Sequence, residues 1–258
     1  LGRTVLFTAA HHANEWITAT VLLKFAEELS RAILEKGQVY GIPANLFEEN
    51  CQIFLVPMVD PDGVDLVTGG IAQGSIQWEQ AKRLSNNCPS IPFPNGWKAN
   101  LLGVDLNLQY PAGWLQAREI KFSQGYTRPG PRDYVGKAPL TQRESRALAD
   151  FTNYLDPALI LAYHTQGEQI YWKYDDVDVP GALALGQEFA RLSGYSLEET
   201  PYASGFAGYK DWFIKVWRRP GFTIEAGLGE NPLPISQFDT IYAKNLGILT
   251  TAALGLPA

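Results

Sequence analysis

Strand-like and helix-like segments alternate along this chain in an order that predicts an α/β fold, a sheet covered by helices on both faces. Short apolar runs at 5–10, 52–58, 158–163 and 222–226 have the length and composition of buried strands. Amphipathic stretches between them supply the helices. With 46% hydrophobic residues over 258 positions, and neither a linker nor an internal repeat, residues 1–258 read as one domain with a sizeable core.

The first run, 5–10, leads into a helix over 15–35, where Ile17, Val21, Phe25, Leu29 and Ile33 recur every four residues and form one apolar stripe. That span puts Glu15 in the helix's first turn. The runs 52–58 and 222–226 are apolar enough to be central strands. Between about 60 and 140 the periodicity gives way to Gly, Pro, Asn and aromatics, as in PMVDPDG at 57–63 and YTRPGPR at 126–132. Irregular stretches this long build binding surfaces or are disordered, and the aromatics favour a surface. Thr141 followed by Glu144 has the capping-box pattern and opens a further helix carrying Ala147, Leu148 and Phe151. The strand at 158–163 follows, then strand, helix, strand and helix.

A net charge of −6 without a basic block removes the electrostatic term that nucleic-acid binding needs, so DNA and RNA are not expected partners. No apolar run approaches the roughly 20 residues of a membrane span, and the opening LGRTVLFT lacks a signal peptide's charged-then-apolar order. The chain is expected to be soluble and not membrane-inserted. Cys51 and Cys88 are too few for a disulfide framework or a thiolate metal site, and are either buried free thiols or one bridge.

Histidine is scarce: His11, His12 and His164 are the full set. His12 and His164 each follow a strand-like run, and ligands collect at strand ends in α/β sheets. Glu15 completes a possible His-Glu-His set. A catalytic zinc takes three such ligands, keeps a fourth position for water and lowers that water's pKa to about 7. Alone, a His-x-x-Glu is also satisfied by a capped helix start with a polar neighbour. No Gly-x-Ser-x-Gly occurs, and His11 is the one histidine left over as a base, which argues against a serine hydrolase. His11 reads as a packed neighbour of the site.

The segments HANEWIT (12–18), DPDG (60–63), GVDLN (103–107), His164 and FTIE (222–225) occur together and in this order. In that order the chain resembles the zinc carboxypeptidases, the M14-type metallopeptidases, over nearly its whole length. The segments AYHTQGEQIYW (162–172) and EAGLGENPLP (225–234) look most like the bacterial γ-D-glutamyl-diaminopimelate peptidases, which cut peptidoglycan stem peptides. The resemblance implies a three-layer α/β/α sandwich with a central mixed sheet, and strands and a helix ahead of the first histidine strand that this chain would lack. It implies one Zn2+ held by His12, Glu15 and His164, with Asp105 orienting His12. Glu225 matches the glutamate that takes a proton from the attacking water and passes it to the leaving amine. The bland alternatives are a strand-end carboxylate paired with Arg218 or Arg219 for Glu225, the lesser reading given its neighbours, and, equally with its family role, an ordinary turn residue for Asp105.

Departures from the family pattern bear on substrate. Leu108 stands where exopeptidases carry an arginine that grips a terminal carboxylate, and Asn14 replaces the arginine inside the His-x-x-Glu spacer. Lys98 falls where an arginine steadies the oxyanion, so a cation is kept without its bidentate fork. Asn107 is kept for substrate. Lys210 falls at the floor of the specificity pocket, where it would meet a carboxylate of diaminopimelate, or else is a solvated loop charge. The tyrosine that covers substrate is matched by Tyr202 or, less closely, Tyr209, either of which reads equally as a packed loop aromatic. These matches imply hydrolysis of γ-D-glutamyl-diaminopimelate bonds in peptidoglycan stem peptides, in a bacterial protein that is secreted or associated with the wall or spore, with cytoplasmic recycling left open. A conventional metallocarboxypeptidase and a non-catalytic peptidoglycan-binding protein are the alternatives.

Overall fold

Residues 2–256 are described by a computed structural model. The chain enters through β1 (Arg3–Ala9), makes a 3₁₀ turn at Ala13–Glu15 and continues as α1 (Ile17–Glu35). The ribbon β2 (Gln38–Val39) and β3 (Ile42–Pro43) and the short α2 (Asn45–Asn50) lead to β4 (Cys51–Val56). Then come α3 (Pro61–Thr68), α4 (Ile76–Ser85), α5 (Trp114–Ser123) and α6 (Arg143–Leu155). The second half runs β5 (Leu159–His164), β6 (Gln169–Tyr171), α7 (Ala182–Ser193), β7 (Ser196–Glu198), α8 (Tyr209–Trp217), β8 (Gly221–Glu225) and α9 (Phe238–Leu254).

The main sheet has the order β4-β1-β5-β8-β6-β7. Its first four strands are parallel, β6 runs antiparallel to β8, and β7 is parallel to β6, so the sheet is mixed. Strand residues alternate between two cores. Val5, Phe7, Leu161, Tyr163, Phe222 and Ile224 face Ile17, Val21 and Phe25 of α1 and the buried side of α7 and α9. Leu6, Ile160 and Ala162 face Leu148 and Ala149 of α6 and Tyr209, Trp212 and Phe213 of α8. Helices thus cover both faces, the expected α/β/α sandwich. Each fully buried Phe or Leu contributes about 1.5–3 kcal/mol. The same alternation puts His164 on the α6/α8 side of β5, in step with Ile160 and Ala162, and Glu225 on that side of β8.

Several local expectations are corrected. Glu15 ends the 3₁₀ turn rather than sitting in α1, because the Ala13 amide is taken by the Lys98 carbonyl (3.1 Å) and the Ala10 amide by Thr18 Oγ1 (3.0 Å), which holds the chain off the helix until Ile17. The run 52–58 forms β4, an edge strand; its apolarity reflects cover on both faces, with Ile53 and Leu55 on one core and Phe54 on the other. The stretch from 60 to 140 contains α3, α4 and α5. These are short and pack on small cores of their own, such as Leu66, Trp78, Ala81 and Trp97, so they leave no long stripe in the sequence. Thr141 and Glu144 make no capping box. The helix starts after Gln142, while Thr141 bonds Gln109 Oε1 (3.0 Å) and Glu144 accepts from Asn100 (3.1 Å). Cys51 and Cys88 are both free, which removes the bridge.

Candidate active site and metal centre

Three parallel strands end at one level and deliver the site. His164 is the last residue of β5 and pairs in register with Glu225, the last of β8, while His12 and Glu15 lie just beyond the end of neighbouring β1. His12 Nδ1 lies 2.9 Å from Glu15 Oε1, His164 Nδ1 lies 3.0 Å from Glu15 Oε2, and the two Nδ1 atoms are 3.2 Å apart. All three side chains are buried.

The tautomer of His12 follows from its other nitrogen. Nε2 donates to Asp105 Oδ1 at 3.1 Å, so in the neutral form of the ring the lone pair is at Nδ1, facing a carboxylate and a second imidazole. His12 Nδ1, His164 Nδ1 and the Glu15 carboxylate thus converge on one buried point, an arrangement that a bound cation would satisfy. A zinc ion about 2.0–2.1 Å from each of three tetrahedral ligands separates them by about 3.3 Å, close to the spacing present. The donor set, two histidines and a carboxylate, is one zinc uses in peptidases. His12, Glu15 and His164 therefore fit one zinc ion.

Burial alone would pull the His12 imidazole down, but Glu15 and then Asp105 raise it, to about 9. Burial would raise the Glu15 and Asp105 carboxyls, yet His12 and Lys98 hold both below the usual carboxylate range. Lys98 Nζ lies 3.1 Å from Glu15 Oε1, which outweighs its burial and raises its pKa. Glu225 behaves oppositely. Burial, and then the nearby Glu15 charge, push its carboxyl up to about 8.

These groups line a cleft of about 230 Å³ with Asn107, Lys210 and Thr223. Asn107 Oδ1 accepts from the Tyr209 amide (2.9 Å), which ties the 103–107 turn to the start of α8. A family model described as zinc carboxypeptidase, peptidase M14, matches residues 2–246. The chain belongs to the zinc carboxypeptidase family. Similar proteins include γ-D-glutamyl-L-diamino acid endopeptidase 1 of Lysinibacillus sphaericus, 44% identical over 247 residues, 96% of this chain. The chain spans only 60% of that relative's length. Among solved structures, bovine thrombin-activatable fibrinolysis inhibitor in complex with tick carboxypeptidase inhibitor superposes with a TM-score of 0.72 at 17% identity, over 97% of this chain and 81% of the other. The murein-tripeptide amidase of Escherichia coli O157 gives 0.55 at 18% identity, over 96% and 81%. Both likenesses show a shared fold.

Within this zinc carboxypeptidase cleft, Leu108 is nearly buried, packed with Ala117, Val135 and Ala207. Lys210 is a buried cation, not a solvated one: it pairs with Asp211 and donates to the Lys173 carbonyl at 2.6 Å. Tyr209 is a core residue whose hydroxyl meets Thr152 Oγ1 at 2.8 Å. Tyr202 is 73% exposed on the 3₁₀ turn Tyr202–Ser204 and borders an adjoining pocket rather than the cleft. His11 packs under the centre, stacked on His164 at 5.5 Å and bonded to the Tyr110 hydroxyl at 3.2 Å. Arg132, Tyr171, Lys121 and Asp133 also line the cleft, and no motif in the sequence marks them. Their signal there was weak, a charged pair after a Pro-Gly-Pro turn and one aromatic in a short strand.

Proposed function

We propose that this protein is a zinc peptidase, acting as one catalytic domain, that hydrolyses the γ-D-glutamyl bond to diaminopimelate in peptidoglycan stem peptides. The observation that carries the reading is a single cleft uniting the buried His12, Glu15 and His164 cluster with Glu225 and Lys98, while a packed leucine occupies position 108. Held by His12, Glu15 and His164, one Zn2+ would polarise the scissile carbonyl and activate water. The name of the Lysinibacillus relative, an endopeptidase for γ-D-glutamyl-L-diamino acids, supports the substrate class.

Glu225 is the proton carrier. Its carboxylate takes the proton of the attacking water and, as the carboxylic acid, returns it to the departing amine, while burial raises its affinity for the proton it carries. Lys98 Nζ stays charged and offsets negative charge growing on the carbonyl oxygen. With Asn107 Oδ1 engaged by the Tyr209 amide, the Nδ2 hydrogens of this cleft residue are left to donate to substrate. Lys210 retains a donor for a diaminopimelate carboxylate beyond those given to Asp211 and Lys173. Tyr202 covers bound substrate only if its turn swings toward the cleft. Leucine at 108 binds no anion, so a peptide C-terminus has no clamp there.

Such an enzyme works where bacterial wall peptides are, at the wall or spore or on recycled fragments. Among the described residues, no helix is long and apolar enough to cross a membrane. The test is to incubate the zinc-loaded protein with L-alanyl-γ-D-glutamyl-diaminopimelate and, separately, an ordinary L-peptide, and to read products by mass spectrometry. Release of diaminopimelate from the first alone is expected. Trimming of the L-peptide alone would replace the reading with a conventional carboxypeptidase, and cleavage of neither would favour a binding protein.

A further inference from the structure

Four residues, Lys98, Arg132, Tyr171 and Glu225, border both the cleft and a second hollow of about 520 Å³ walled by Asn14, Thr165, Glu230 and Asn231. The groove therefore continues past Glu225, away from Lys210. All four cations lining the cleft are ion-paired: Lys98 with Glu15, Lys121 with Asp133 at 2.7 Å, Lys210 with Asp211, and Arg132 with Asp133. Arg132 differs. Its Nε donates to Asp133, while Nη1 and Nη2 have no protein partner among the described residues, and its side chain is 38% exposed.

The backbone carrying Arg132 is pinned to the catalytic machinery. The Pro131 carbonyl accepts from the Lys98 amide (2.7 Å) and the Ala99 amide (3.0 Å). The Asp133 amide donates to Asp105 Oδ2 (3.2 Å), the same carboxylate that holds His12. Gly103 makes the close approach feasible: its φ is +72°, and a Cβ there would lie 2.7 Å from the Gly130 amide. Arg132 is thus a guanidinium of fixed origin with a free two-nitrogen edge at the point where the two halves of the groove meet.

We propose that Arg132 binds the free α-carboxylate of the γ-linked glutamyl residue on the acyl side of the scissile bond, an inference that rests on the γ-glutamyl peptidase reading above. In a γ-linkage that carboxylate is separated from the scissile carbonyl by two methylenes and the α-carbon, within reach of a group bordering both halves of the groove. In an α-linked peptide a neutral side chain or amide takes its place. The planar fork of arginine matches a carboxylate through two parallel hydrogen bonds. Arg132 thereby selects γ- over α-linked substrates.

The test compares wild type, Arg132→Met and Arg132→Lys on L-alanyl-γ-D-glutamyl-diaminopimelate and on the same tripeptide with that α-carboxylate converted to a carboxamide. Wild type is expected to prefer the carboxylate by roughly 10- to 100-fold in kcat/KM, mostly through KM. The preference should fall to near one in Arg132→Met and part-way in Arg132→Lys, which keeps the charge but not the fork. Zinc content and melting temperature establish that the variants are folded, and Arg132→Lys alone decides the matter if the methionine variant is not. Equal use of both substrates by wild type, or equal losses on both in the variants, would overturn the role of Arg132 while leaving the peptidase reading intact. Trimming of an L-peptide with neither γ-linked substrate cut would overturn both.

Discussion

Asp105 Oδ1 accepts the Nε2 proton of His12 at 3.1 Å, and this bond fixes which nitrogen His12 offers to the centre of the site. Asp105 is itself held by the amides of Asn107 (3.1 Å) and Asp133 (3.2 Å), so the imidazole inherits the rigidity of two turns. Carboxylates behind a ligating histidine raise its basicity and fix its ring, and losing them costs 10- to 100-fold in metal affinity. Asp105→Asn is expected to weaken zinc binding by about that factor, read by competition with a chromophoric chelator. Undiminished affinity would detach Asp105 from the metal centre.

Glu225→Gln separates binding from proton transfer. Glutamine keeps the size of the side chain but cannot accept a proton, and Glu225 is not among the three clustered candidate ligands. Turnover of the γ-glutamyl tripeptide should drop roughly 10²- to 10⁴-fold with zinc content unchanged, as removal of a general acid-base group does. Full activity in this variant would eliminate Glu225 as the proton carrier.

What was legible in the sequence is what short-range order and strand register encode. His12 and Glu15 are three residues apart at the end of an apolar run, and His164 and Glu225 end two others, so pairing those strands in parallel brings all four to one edge. Arg132 was not legible. Nothing periodic surrounds it, and its place depends on hydrogen bonds from the Lys98 amide to the Pro131 carbonyl and from the Asp133 amide to Asp105, partners 28 or more residues apart. The helices α3 to α5 escaped for a related reason: their packing partners, such as Trp97 for α3 and α4, lie outside the helices themselves. Position 52–58 shows the limit of apolarity as a guide, since cover by helices on both faces makes an edge strand look central.

Tyr163 offers a test of the core beneath the site. Its ring is fully buried in β5, and its hydroxyl has no protein partner among the described residues. A buried donor left unpaired costs about 1–3 kcal/mol, and phenylalanine removes the donor while keeping the ring. Tyr163→Phe should therefore stabilise the protein by about 1 kcal/mol, a rise of roughly 2–4 °C in Tm for a chain of this size. A loss of stability would show that the hydroxyl has a partner, such as a bound water.

Asp60 should make stability depend on pH in a way that asparagine would not. It is fully buried; its Oδ1 accepts from the Gly63 amide at 3.1 Å, and its Oδ2 has no partner among the described residues. Burial pushes its carboxyl well above the ordinary range, with Gly63 only partly opposing. The folded protein thus retains a proton that the unfolded chain releases above pH of about 4. The stability contributed by protonated Asp60 is full below that pH and declines as pH rises through the window up to the folded pKa. Asp60→Asn is neutral throughout, so its stability relative to wild type should improve as pH rises from about 4 up to the folded pKa of Asp60. Denaturant unfolding of both proteins across that range provides the comparison, and a difference independent of pH would mean that Asp60 is ionised in the folded state.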